Sequence, residues 1–149
     1  MGALPHYQFG GPANYQVSAL VTGGSLVVAD GGGATTISTA GAAAINVLGV
    51  AVDDASPIIS QAGNTTGYGS PLLDISVLRD YTAVVSGGVD IHVTYAAAAT
   101  FGVLLKTAAN GQVTPWVSGT DTLPATIVGR CTQPGGVLAG ATVARARIF

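Results

Sequence analysis

Asp90 and His92 stand two residues apart in Val89-Asp90-Ile91-His92-Val93, so on a β-strand both side chains leave the same face. A carboxylate beside an imidazole is raw material for a metal site or a general acid–base pair. Either chemistry needs a third ligand or a nucleophile, and the sequence has only one other histidine, His6. The pair therefore reads as a surface or interface hydrogen bond. Asp53-Asp54 invites a calcium reading, but a calcium loop needs further oxygen donors at regular spacing, and here they stop. Gly31-Gly32-Gly33 has neither a Gly-Lys-Ser/Thr sequence nor a helix-forming segment after it, so it reads as a turn rather than a phosphate cradle. Cys131 is the single cysteine, which excludes an internal disulfide and a multi-cysteine zinc site. No catalytic residue, metal or cofactor is expected, and the chain is not expected to be an enzyme.

The elements that hold these residues follow from composition. Charged residues make up 8% of the 149-residue chain, against about 25% in an ordinary soluble domain. All seven acids are aspartate, and Lys106 is the only lysine. The residues that normally cover the wet face of a helix are missing, while Gly, Ala, Val and Thr favour strands and tight turns. The expected fold is all-β: a small barrel or sandwich with short hairpins and at most one short helix. A surface this poor in charge suits permanent contact with other chains. The net charge of −2 argues against nucleic-acid binding, with Arg145 and Arg147 the only close basic pair. No apolar run approaches the ~20 residues of a membrane-spanning helix, and no secretory signal is visible.

Residues 1–16 are expected to form an extended arm carrying Tyr7, Phe9 and Tyr15 as anchors, ahead of a single β-rich domain over 17–149. Strands are expected around Ala19-Leu20-Val21, Leu26-Val27-Val28, Thr35–Thr39 and Val47–Val52. Residues 55–70 read as a surface loop, and the segment from Ser70-Pro71 fits a helical turn or a strand equally well. Tyr81–Val85, Ser86-Gly87-Gly88 and Val89–Tyr95 read as a hairpin. Phe101–Pro115 reads as another, with Asn110-Gly111 at its turn. Ile127–Thr132 forms the next strand. In the last strand Val143, Arg145 and Arg147 share one face, and Thr142, Ala144, Ala146 and Ile148 take the other.

One design is used twice. Placing Gly24 over Gly102 brings Leu26-Val27-Val28 over Leu104-Leu105-Lys106, and Gly49 and Gly129 follow at similar distances, each inside a strand. Such glycines mark bends or close backbone approaches, which a small closed barrel requires.

Phe-Gly-Val-Leu-Leu-Lys (101–106), Asn-Gly-Gln-Val-Thr-Pro (110–115), Ile-Val-Gly-Arg (127–130) and the closing Ala-Gly-Ala-Thr-Val-Ala-Arg-Ala-Arg-Ile-Phe (139–149) resemble the head decoration, or capsid cement, proteins of tailed bacteriophages. Val-Leu-Gly-Val-Ala-Val-Asp-Asp-Ala (47–55) is similar to an earlier block of that family. The resemblance implies a β-rich protein on the outer surface of the virion capsid, made in the host bacterial cytoplasm. It further implies trimers that bridge major capsid protein subunits. Tyr7, Phe9, Tyr15, Arg145, Arg147 and Phe149 are then the candidate intersubunit contacts. The alternatives are a tail-tube or head-completion subunit, or a surface module stacking glycans on Trp116. Removing Met1–Gln16 should weaken docking while the domain still folds.

Overall fold

The computed structural model describes residues 12–30, 36–57, 79–140 and 142–149. Among these residues ten strands build two closed five-stranded barrels. The first holds β1 (Ala13–Val17), β2 (Leu26–Ala29), β3 (Thr36–Thr39), β4 (Val47–Ala51) and β5 (Tyr81–Val85). The second holds β6 (Asp90–Tyr95), β7 (Leu104–Thr107), β8 (Val113–Pro115), β9 (Ile127–Cys131) and β10 (Thr142–Ile148). Strand order is β1-β3-β2-β4-β5 in one and β6-β8-β7-β9-β10 in the other, so the second half repeats the topology of the first. Closure leaves few open edges, which matters in a chain with few charges to guard them.

The repeat holds residue by residue. β1 runs parallel to β3 with Val17 opposite Ile37, and β6 runs parallel to β8 with Tyr95 opposite Val113. Val27 faces Gly49 next to an irregularity at Val27/Val28, and Leu105 faces Gly129 next to one at Leu105/Lys106. The buried sets also correspond. Val17, Val21, Val27, Ile37, Ala51, Ala55 and Val84 fill the first barrel, and Tyr95, Ala99, Leu105, Val113, Cys131, Val137 and Ala146 take the same places in the second. Both echo glycines are sites of close approach. A Cβ on Gly49 would lie against the Val85 carbonyl oxygen, and one on Gly129 against the Arg147 carbonyl oxygen, both at 2.3 Å.

Two expectations change. The first strand is Ala13–Val17 rather than Ala19–Val21. Its residues pair with Tyr81–Val84, so Ala13–Gln16 belong to a barrel rather than to a free arm. Tyr81–Val85 and Val89–Tyr95 are not a hairpin: β5 pairs with β1 and β4, β6 with β10 and β8, and Ser86–Gly88 joins the barrels. A Gly-Gly turn between two apolar runs looks the same locally whether the second run folds back or moves to a new sheet. The β-rich region is built from two barrels. Tyr7, Phe9, the Gly31–Gly33 turn and the element after Ser70-Pro71 lie outside the described residues.

The barrels share a core. Leu26, Ala40 and Val50 come from the first barrel, yet they are buried in one cluster with Val93, Tyr95 and Leu105 of the second. The seam carries hydrogen bonds from Thr94 N–H to the Gly24 carbonyl (3.1 Å), from Gly111 N–H to the Ala40 carbonyl (2.8 Å) and from the Thr107 hydroxyl to the Ala44 carbonyl (3.1 Å).

Candidate functional site

Barrel 2 carries its polar side chains on an outer face laid out by strand register. In β10 the burial pattern alternates, with Ala144, Ala146 and Ile148 inside and Val143, Arg145 and Arg147 outside, as the spacing predicts. The register sets Arg147 between Asp90 on β6 and Arg130 on β9, and sets Arg145 opposite His92. Three of the five basic residues thus meet on one sheet face.

Asp90 and His92 do share an exposed face, but the carboxylate is engaged. Arg147 grips it as a fork, Nε to Oδ1 at 2.9 Å and Nη2 to Oδ2 at 3.3 Å. This hydrogen-bonded guanidinium holds the Asp90 carboxyl below its ordinary value, and Asp90 in turn raises Arg147. Among the described residues no group of three or more His, Cys, Asp or Glu could hold a metal ion. Asp54 accepts the Gly23 N–H at 2.7 Å.

The candidate contact residues fall in different places. Arg145 and Arg147 lie side by side on the outer face of barrel 2. Phe149, 60% exposed, follows β10 into a shallow cleft between the barrels that Ile45, Gly49 and Ala125 also line. Tyr15 is on the other barrel, half-buried in β1 against the core. Arg130 was not singled out by sequence, because only the β9–β10 register brings it to Arg147.

A second surface of barrel 2 is apolar. The start of β7 and the end of β8 run together, with Trp116 N–H bonded to the Leu104 carbonyl at 2.8 Å. Leu104 and Trp116 are half-buried, and beside them Phe101 and Val117 are 65% and 53% exposed. The Trp116 indole N–H is enclosed and has no acceptor. At the flank of this surface Lys106 pairs with Asp121, and that hydrogen bond holds the Asp121 carboxyl below its ordinary value.

Two further polar side chains are held by hydrogen bonds. Tyr95 is fully buried with its hydroxyl donating to the Arg145 carbonyl at 3.0 Å, and burial pushes its phenol well above the ordinary range. Asp30 is held below its ordinary 3.8 by hydrogen bonds from Ser18 and from Ser38, whose hydroxyl lies 2.6 Å from the carboxylate. A lowered carboxyl pKa adds stability that is present above the unfolded value and is lost as pH falls through the folded value. With Asp30, Asp90 and Asp121 all lowered, the melting temperature should be level near neutrality and fall below the ordinary aspartate value of 3.8. In Ser38→Ala, NMR titration should find the Asp30 carboxyl closer to that ordinary value; an unchanged titration would show that the Ser38 hydroxyl does not stabilise the carboxylate.

No protein-family model and no curated protein matches the chain. Among solved structures the chain is similar to the N base of the head fiber gp8.5 in bacteriophage phi29, with a TM-score of 0.59, 18% sequence identity, and coverage of 93% of this chain and 92% of that one. At that identity the likeness is one of fold, and it spans both barrels.

Proposed function

We propose that the chain is a structural subunit of a phage virion, a decoration protein attached to the outer surface of the head. It stabilises the shell by bridging major capsid protein subunits and associates with itself, most simply as a trimer. The observation that carries this reading is the fold likeness to the base of a phage head fiber over nearly the whole chain. The sequence resemblance to head decoration proteins supports the same reading.

The surface is consistent with such a role. It carries few charges and several large exposed apolar side chains, among them Phe101, Val143 and Leu138. The reading requires no catalysis, cofactor, nucleic acid or membrane.

The test is cosedimentation of the purified chain with expanded, undecorated heads of the phage that encodes it. Saturable binding at a copy number comparable to that of the shell's capsomers is expected. Binding of only a few copies per particle would move the protein to a vertex or the tail, and no binding would overturn the reading. A deletion testing the terminal arm must stop at Pro12, because β1 begins at Ala13. The chain lacking residues 1–12 should keep its melting temperature and bind heads more weakly. Unchanged head affinity would remove the arm from the docking surface.

A further inference from the structure

The internal repeat shows what each barrel face can bind. Within one chain, barrel 1 presents Gly24, Leu26 and Ala40 to barrel 2, which receives them along His92, Thr94 and Gly111. By the register correspondence, the positions of barrel 2 equivalent to Gly24, Leu26 and Ala40 are Gly102, Leu104 and Trp116. That equivalent surface is also apolar, and the described chain leaves Leu104 and Trp116 only half-buried. Phe101 beside it is 65% exposed.

We propose that this face of barrel 2 docks barrel 1 of a second copy of the chain, repeating between chains the contact that joins the barrels within one. The positions of barrel 1 equivalent to His92, Thr94 and Thr107 are Asn14, Gln16 and Ala29. An acid lies there: Asp80 accepts a hydrogen bond from Gln16 Nε2 at 3.3 Å. The opposing face of barrel 2 has Arg130 at its edge, next to Arg147. Charge is divided accordingly. Residues 13–85 hold five aspartates and one arginine, net −4, and residues 86–149 hold four basic residues and two aspartates, net +2. A contact between two different surfaces leads to a ring when its rotation closes, the arrangement a trimer requires. The inference rests on the self-association in the reading above and assigns it to surfaces; attachment to the shell is a separate question.

The test places the photo-cross-linker p-benzoylphenylalanine at Phe101 of the full chain. A mixture of ¹⁴N- and ¹⁵N-labelled protein is then irradiated and its mixed-isotope cross-links are mapped. Links to β1 or to Arg79–Thr82 of the other copy are expected. Mixed-isotope links to β7 or β8 would mean a two-fold contact of like faces and would overturn the proposal, as would the absence of mixed-isotope links. Either failure leaves head binding, measured separately, untouched. If irradiation in the presence of heads links Phe101 to a shell protein rather than to another copy, the face belongs to the shell and the proposal fails. In sedimentation equilibrium, Phe101→Asp should weaken self-association by about 30-fold or more, with an unchanged melting temperature for the monomer. Val89→Asp, at another exposed apolar site just after the Ser86–Gly88 linker, should not. Equal effects of the two variants would also overturn the assignment. Added salt should weaken the association of the unaltered chain.

Discussion

Replacing Gly129 by alanine is expected to destabilise the protein by about 3 kcal/mol, a fall in melting temperature of roughly 6–12 °C for a chain of this size. The added Cβ would lie 2.3 Å from the Arg147 carbonyl oxygen and 3.1 Å from Ile148 Cδ1. The first obstacle is backbone in the neighbouring strand, so relief requires β9 and β10 to separate where the barrel closes. Gly49→Ala should behave alike, since its Cβ meets the Val85 carbonyl oxygen at the same 2.3 Å and its φ is +155°. The control is Gly41→Ala, where a Cβ meets nothing within 4 Å; it should change stability by no more than about 0.5 kcal/mol. Thermal melts of the three variants decide the matter. A Gly129→Ala variant as stable as Gly41→Ala would mean that the two barrels do not close through these glycines.

Leu26→Ala should cost about 3 kcal/mol, while Leu104→Ala, at the equivalent position of the repeat, should cost about 1 kcal/mol. Both leucines open the second strand of their barrel, and both pair with the fourth strand, Leu26 with Val50 and Leu104 with Arg130. Intrinsic strand preference is the same at the two sites. What differs is cover: Leu26 is fully buried against barrel 2, and Leu104 is only half-buried. The measurement is denaturant unfolding at protein concentrations low enough to keep the chain monomeric, because association would add cover to Leu104. Equal costs would show that the barrels do not pack through Leu26, and the docking argument built on that contact would fail with it.

Much of this architecture can be read from the chain. The alternation Val143, Arg145, Arg147 against Ala144, Ala146, Ile148 reports one wet face and one packed face, because side chains on a strand alternate whatever the partner. Gly49 and Gly129 are legible through the echo they share, since glycine inside an apolar run marks a place where a Cβ does not fit. Asn110-Gly111 marks a real turn, with positive φ at both residues (57° and 68°). Other features were not legible, each for a physical reason. Ala13–Val17 lies beside a Gly- and Pro-rich stretch, and its strand character comes from pairing with Thr36–Ile37 and Tyr81–Val84, which are far along the chain. Ser86-Gly87-Gly88 has the grammar of a hairpin turn yet links two barrels, because turn chemistry acts over four residues and strand partnership over many.

The same division holds for the functional surface. Sequence by itself determined a charge-poor β protein built twice on one plan, with Arg145 and Arg147 on one face. Those are properties of composition and short-range periodicity. Only the tertiary structure decided that Arg130 joins the two arginines, that Asp90 is held by Arg147, and that Leu26 is fully buried while Leu104 and Trp116 are half-buried. Register and docking set these outcomes. They depend on which distant strands close each barrel and on how the two barrels meet, and no local pattern of residues encodes either.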